Sequence, residues 1–401
     1  MAVLRDPANR IVALDALRGF AVIGIVWMNV YVFALPGQGY LNPTAWGPGI
    51  HEESAADRVV WAIGFIFVED KFRTLFAMLF GAGCLILIER SEGRRWRSHY
   101  ARMAMLFVLG LAHALLLASN DVLRAYACAG LAIPFLAHLS ARSLYTIAIG
   151  LVLLHVGAGT VMFGGAVVDA YAGRTGSDAA LFVERQFGRD PAAIAYMLEQ
   201  GREGVGERIA RRIGSVPSQL TVVAASIPLN LAAMALGMGL WKHRALAGEW
   251  RLERLRHLAA VTALFALPPL FALAWWITDR DFPAAFVAAG ALVLSAPFDT
   301  ALGLCYAALA MALFAQGGAL TTRLAAVGRL SLTNYLTTSV ILSAIFANWG
   351  LGLFGEVGRA GALALSFLPI AAMLWWSPVW IARFGQGPVE RLWRTSAQAL
   401  S

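Results

Sequence analysis

The chain predicts an all-α fold, a polytopic integral membrane protein built as a bundle of about ten transmembrane helices, and three observations predict it. Of its 401 residues, 59% are hydrophobic and only 14% are charged, and the mean hydropathy is +0.66. That is too apolar for a soluble domain. The apolar residues come in runs of about 20, the length that crosses a bilayer as a helix, without the alternation that marks a barrel strand. The 39 glycines suit helices that pack closely in lipid, where each backbone polar group must find a partner inside the protein.

In chain order the expected spans are 11–35, 71–89, 101–119, 122–138, 143–164, 217–241, 257–277, 283–315, 330–348 and 360–381. Arg5 and Arg10 precede the first. Asp15 and Arg18 interrupt it and no small-residue cleavage site follows, so it reads as an uncleaved span rather than a signal peptide. Residues 55–68 form a shorter apolar piece ending in Glu69-Asp70-Lys71, expected to be an interfacial or re-entrant helix. In 283–315, Pro297-Phe-Asp299 offers a place for a hairpin, which would raise the number of spans to eleven; one long kinked helix is the preferred reading, because it leaves the C-terminal arginines on the cytoplasmic side.

Charge sets the orientation. The 90–102 and 242–256 loops and the C-terminal Arg383, Arg391 and Arg394 are basic and belong inside, so both termini are expected to be cytoplasmic. The formal charge of +8 is spread over these loops, which argues for membrane anchoring and against a nucleic-acid partner. Residues 1–401 read as one domain. Within it, 166–215 is a polar extracytoplasmic segment, whose 183–213 part is helical in composition and placed to cap the bundle mouth. Residues 383–401 are a cytoplasmic amphipathic tail with Trp393 at headgroup level. No internal repeat of the kind that builds inverted-repeat transporters is visible. Cys84, Cys128 and Cys305 lie in apolar runs without metal spacing, so no metal site is expected.

Function is sought where polar groups interrupt lipid-soluble sequence, since an ionisable side chain at mid-membrane depth costs about 2.5–3.5 kcal/mol and usually faces the bundle interior. In the first span Asp15 and Arg18 are spaced i, i+3 for an ion pair, with Asn29 about three turns farther out. The pair either fixes helix docking or lends Arg18 to a phosphate-bearing ligand from the cytoplasm. Lys71 and Arg73 open the second span and either snorkel to the interface or line an outer site. His113 sits among apolar neighbours near the outer end of the third span, eight residues before Asp121. An imidazole oriented by a carboxylate is a general base poised near neutral pH; the plainer alternative is a structural hydrogen bond. His155 is expected to pack, whereas His99, His243 and His257 fall in basic loops and are expected to be solvated. Near the end, Arg329, Ser331, Asn334 and Tyr335 either bond neighbouring helices or line a cytoplasmic-facing pocket with Arg18.

Four motifs then match a known pattern: Leu14-Asp-Ala-Leu-Arg-Gly-Phe-Ala with Asn29, Lys71-Phe-Arg-Thr-Leu-Phe-Ala-Met-Leu-Phe-Gly-Ala-Gly, His113 followed by Asp121-Val-Leu, and Gly328-Arg-Leu-Ser-Leu-Thr-Asn-Tyr. Together they resemble the bacterial YeiB-like family, domain of unknown function 418, from about residue 10 to residue 396. The first motif also resembles that of heparan-alpha-glucosaminide N-acetyltransferase and the acyltransferase-3 membrane proteins. The resemblance implies a multi-pass protein of the bacterial cytoplasmic (inner) membrane that takes an acyl group, commonly acetyl, from cytoplasmic acyl-CoA and gives it to a hydroxyl or amine acceptor outside, whether glycan, lipid or small molecule. It implies acetyl-CoA held by Arg18, steadied by Asp15, and by Arg329, Ser331, Asn334 and Tyr335, with Arg90 or Arg94 as further counter-charges. His113 with Asp121 would be the base, and Asn29 or Arg73 the oxyanion donor. The heparan enzyme's catalytic histidine lies in the loop after the first motif helix, where this chain has His51, so His113 and His51 both stand as candidates for the base. By the same analogy a homodimer is allowed. A transporter or flippase of a small polar or lipid-linked substrate is the competing reading of the same polar path.

Overall fold

The computed structural model describes residues 11–45, 54–90 and 95–399. Its helices are α1 (Val12–Ala34), α2 (Gly37–Leu41), α3 (Ala55–Phe67), α4 (Lys71–Arg90), α5 (Arg95–Leu116), α6 (Val122–Gly130), α7 (Ile133–Leu136), α8 (Ala141–Tyr171), α9 (Asp178–Phe187), α10 (Pro191–Gly201), α11 (Val205–Gly214), α12 (Val216–Lys242), α13 (Leu252–Thr278), α14 (Ala284–Ala289), α15 (Ala296–Phe314), α16 (Ala319–Arg329), α17 (Ser331–Phe346), α18 (Arg359–Phe384) and α19 (Pro388–Ala399). Eight helical stretches among the described residues are long and apolar enough to cross a membrane, α3 and α4 counting together as Ala55–Arg90; Ala284–Leu294 and Ser331–Phe346 are shorter apolar helices. The protein is a multi-pass helical membrane bundle.

Three elements depart from or settle the sequence reading. The expected span 122–138 is broken into α6 and α7, with Gly130 ending the first and Pro134 near the start of the second. A proline is tolerated in the first helical turn and kinks or breaks a helix farther in, and here, next to Gly130, it marks a restart. The stretch 283–315 is one kinked helical path: α14 passes through a π-helical turn at Gly290–Leu294 into α15, whose first turn contains Pro297. α8 braces the turn, because His155 Nε2 meets the Leu292 carbonyl at 2.8 Å and a Cβ on Gly159 would stand 2.5 Å from Val293. The third element, α16, is a short helix that the span reading missed. It crosses α1 with backbone against backbone: a Cβ at Gly19 would lie 2.0 Å from the Leu324 carbonyl oxygen, and one at Gly328 would lie 1.9 Å from that of Asp15. Only glycine fits either position.

The start of α1, α16, the start of α17 and α19 share one end of the bundle, called inner from its basic loops. Glu390 of α19 accepts from the first backbone N–H groups of α17, Leu332 at 2.8 Å and Thr333 at 3.0 Å, and Trp393 Nε1 donates to the Arg102 carbonyl near the start of α5 at 3.0 Å. At the other end α9 to α11 lie over the mouth. Asn42 Nδ2 bonds the Phe187 carbonyl at 2.8 Å and that of Phe282 at 3.2 Å, while Asp281 takes Arg189 at 2.7 Å and Arg58 at 2.6 Å. Those two guanidiniums hold the Asp281 carboxyl below its ordinary range. His99, expected to be solvated, is buried instead, its Nε2 2.8 Å from the Gly130 carbonyl where α6 ends.

Candidate functional site

The site grows from two helix ends. α5 stops at Leu116, and the His113 carbonyl in its last turn accepts from both Leu117 and Ala118, at 2.8 and 3.1 Å. Five residues past Leu116, Asp121 caps α6, its Oδ2 accepting from the Arg124 N–H at 2.9 Å. A carboxylate is a favoured helix N-cap because it satisfies otherwise unpaired backbone donors. The cap holds Oδ2, and Oδ1 is left facing the imidazole.

His113 Nδ1 lies 2.9 Å from Asp121 Oδ1, at an angle bent away from a straight hydrogen bond. The other ring nitrogen, Nε2, is 2.9 Å from Ser339 Oγ on α17. Tyr335, one turn earlier on α17, sets its ring against the imidazole with centroids 5.1 Å apart, and its hydroxyl is 3.4 Å from Asp121 Oδ1. All four side chains are buried. Arg124 offsets the Asp121 charge with Nε 3.7 Å from Oδ2, and its two other nitrogens are held by Gln219 at 2.9 Å and the Ser119 carbonyl at 2.7 Å. A nitrogen facing a carboxylate carries the proton, so we assign it to Nδ1; the Ser339 hydroxyl then donates to Nε2, with the Tyr335 carbonyl at 3.2 Å as the alternative acceptor of its one proton. Hydroxyl, imidazole and carboxylate stand in the order that activates a hydroxyl for attack.

Just outside lies a cavity of about 130 Å³, walled by Val32, Phe33, Ser119, Ser343 and Phe346 and roofed by Arg208, Arg211 and Arg212 of α11. Ser343 is one helical turn from Ser339, and Asn29 is one turn from Val32 and Phe33 on the same face of α1. Asn29 is half-buried and has no side-chain hydrogen bond among the described residues. It is therefore an available donor one turn of α1 from two residues that line the cavity.

The remaining sequence candidates separate. Arg73 belongs to a second polar cluster, its Nε on Asp70 at 2.7 Å and its Nη1 on Asn230 at 3.0 Å. Beside it Lys71, only 1% exposed, pairs with Asp299 of α15 at 2.6 Å and also reaches the Phe65 carbonyl. Neither cation snorkels to the interface, and neither reaches His113. Tyr335 leaves the expected cytoplasmic pocket for the His113 group, one turn of α17 beyond Ser331. Asn334 is used up between helices, donating to the Val327 carbonyl at 3.0 Å and Ser377 at 3.1 Å and accepting from Trp376 Nε1 at 3.1 Å. Ser331 opens α17, where the anion-binding N–H groups are already taken by Glu390.

At the inner end Arg18 forms the expected pair with Asp15 at 2.9 Å, and a Cβ on Gly83 would sit 3.3 Å from its Nη2. Arg329 donates to the Gly385 carbonyl at 3.0 Å. Trp393 of α19 bonds the Arg102 carbonyl at 3.0 Å, which brings Arg102 and Arg394 to this end, so the inner end gathers more basic charge than the motifs alone identified. His51 and Arg94 lie outside the described residues. Among the described residues no three His, Cys, Asp or Glu side chains gather as metal ligands.

Over 395 residues the chain is 35% identical to the uncharacterized protein YeiB of Escherichia coli strain K12, covering 96% of each chain. The chain belongs to the YeiB-like family. Its residues 240–399 match the family model described as a protein of unknown function (DUF418). The uncharacterized protein YxaH of Bacillus subtilis strain 168 is 28% identical over 404 residues, 97% of this chain and 94% of that one. No solved structure matches.

In this YeiB-like chain the matched region holds Tyr335 and Ser339, while His113 and Asp121 come from before it. Ser339 escaped the sequence reading, since a serine in an apolar run is ordinary and its partner is 226 residues away. Its one available signal was the spacing Tyr335, Ser339, Ser343, which repeats on a single helical face.

Proposed function

We propose that the chain is a membrane-embedded acyltransferase of the bacterial cytoplasmic membrane, passing an acyl group, acetyl foremost, from cytoplasmic acyl-CoA to a hydroxyl or amine acceptor on the outer side. The observation that carries this reading is the buried Ser339, His113, Asp121 chain beside a cavity at the outer end. In the reaction the acceptor takes the place of the Ser339 hydroxyl against Nε2. Its proton passes to His113 as its oxygen or nitrogen bonds the thioester carbonyl carbon. The C–S bond then breaks and CoA leaves as the thiol with the proton from Nε2. Asp121 keeps Nδ1 protonated and stabilises the imidazolium, and Asn29 offers a donor to the carbonyl oxygen. At the inner end Arg18, Arg102 and Arg394 supply positive charge for the substrate's phosphates.

A second course is favoured by the Ser339 Oγ to Nε2 distance of 2.9 Å: Ser339 itself takes the acyl group as an ester, which the acceptor then cleaves. Calorimetry with acetyl-CoA on the purified protein tests the reading as a whole. Saturable binding that persists in His113→Ala is expected; no heat and no thermal shift at millimolar ligand would sink it. Incubation with radiolabelled acetyl-CoA separates the two courses, and direct transfer predicts no label on the wild-type protein and residual turnover in Ser339→Ala.

A further inference from the structure

The three arginines over the cavity lie on one turn of α11, at positions i, i+3 and i+4, so their side chains share a face and repel one another. They are half-buried rather than spread into solvent. The chain supplies little to balance them. Arg211 pairs with Glu203 at 2.8 Å. Arg212 donates only to backbone carbonyls, Leu115 at 3.2 Å and Leu117 at 3.1 Å. Arg208 has only long contacts, 3.4 Å to the Gly201 carbonyl and 3.3 Å to that of Glu203. Burial, and then the neighbouring Arg208 and Arg211, push Arg212 down to about 10. An anion in the cavity would relieve that repulsion.

We propose that this outer cavity binds the phosphate group of the acceptor, with Arg208 and Arg211 as its main ligands and Arg212 as a supporting charge. Assigning the phosphate to an acceptor rests on the acyl-transfer reading; binding of phosphate does not. Guanidinium groups suit phosphate because their fork of donors matches its oxygens. The volume of about 130 Å³ is well below the ~300 Å³ that a drug-sized ligand occupies, so the cavity takes a head group and leaves the rest of the molecule outside it. The site is one helical turn from the base, since Ser343 lines it and Ser339 bonds His113. A phosphate held there keeps a neighbouring hydroxyl or amine within reach of Nε2. The phosphate can belong to a membrane lipid or to a soluble molecule, and the same chemistry serves both.

The test is calorimetry with inorganic phosphate on the full chain in phosphatidylcholine nanodiscs, without acyl-CoA. Saturable binding is expected, weakened about tenfold in Arg208→Gln and less in Arg208→Lys, which keeps the charge but not the fork of donors. Arg208 is the first choice for substitution because its own contacts are long, and an unchanged melting temperature certifies the fold. Absence of binding in the wild type, or equal binding in Arg208→Gln, overturns the proposal. Competition by phosphatidic acid in the nanodisc assigns the site to a lipid; competition by glycerol 3-phosphate alone assigns it to a soluble acceptor. His113→Ala is expected to bind phosphate as the wild type does. Phosphate binding without any acetyl-CoA binding would leave this site standing and remove the acyl-transfer reading.

Discussion

Two buried polar groups in this bundle are built from the same kinds of residue and differ in what they are left able to do. Lys71 and Asp299 neutralise one another at 2.6 Å, both almost wholly buried. Their neighbours Arg73 and Asp70 do the same at 2.7 Å, so each of these two cations is matched to a carboxylate. Asp121, by contrast, already has Arg124 beside it and a helix to cap, and it faces a histidine, which does not need to be charged. The Nε2 of that histidine meets only a hydroxyl, one turn from a cavity. A buried ion pair that satisfies itself is a structural joint, whereas a base with one exchangeable partner is equipped for chemistry.

Substitution separates the two most sharply at the base. His113→Ala should lower transfer by about 10²–10⁴-fold, the usual contribution of a general base, while the melting temperature changes little because Asp121 keeps Arg124 and its cap. Retained turnover would move the base elsewhere, with His51 as the first alternative. Lys71→Met should act on the fold, destabilising it by about 3–5 kcal/mol because Asp299 is left as an unpaired buried charge. Adding Asp299→Leu should restore most of that loss, since an apolar pair of similar volume is commonly neutral or better. A double variant no more stable than Lys71→Met in detergent melting would mean that the pair is more than a joint.

A third, exposed ion group completes the series with the smallest effect. Asp281 joins Arg58 and Arg189 at the outer rim, with 55% of its side chain exposed, and solvent screening keeps such pairs weak. Because its folded pKa is depressed, its stabilisation is fully present above the ordinary carboxylate range and disappears as pH falls through the folded value. The wild type should therefore melt slightly above Asp281→Asn near pH 7, with the gap closing toward pH 3. A gap that widened on acidification would contradict the assigned ion pair.

The same contrast explains what the sequence could show. His113 and Asp121 were legible because each breaks an apolar pattern and they lie only eight residues apart. The Asp15–Arg18 pair was legible for the same reason, being local. Lys71 pointed to no partner, since Asp299 comes from a helix more than 200 residues later and composition cannot say which helices touch. Tyr335 lies against His113 and not in the cytoplasmic pocket expected of it, and its place depends on α16, which is too short to register as a span and carries the chain alongside α1 before α17 begins. The fold followed from hydropathy at the long helices and failed at 122–138, where Gly130 and Pro134 outweigh an apolar run.

Acyl transfer across the bundle requires the outer base to act on an acyl group supplied from the inner side. Inside-out vesicles from cells producing the wild-type chain, given radiolabelled acetyl-CoA in the external medium, measure this directly. Label should accumulate in material enclosed by the vesicles and should fall to the level of empty-vector vesicles with His113→Ala. Equal labelling in wild-type, His113→Ala and empty-vector vesicles would contradict it.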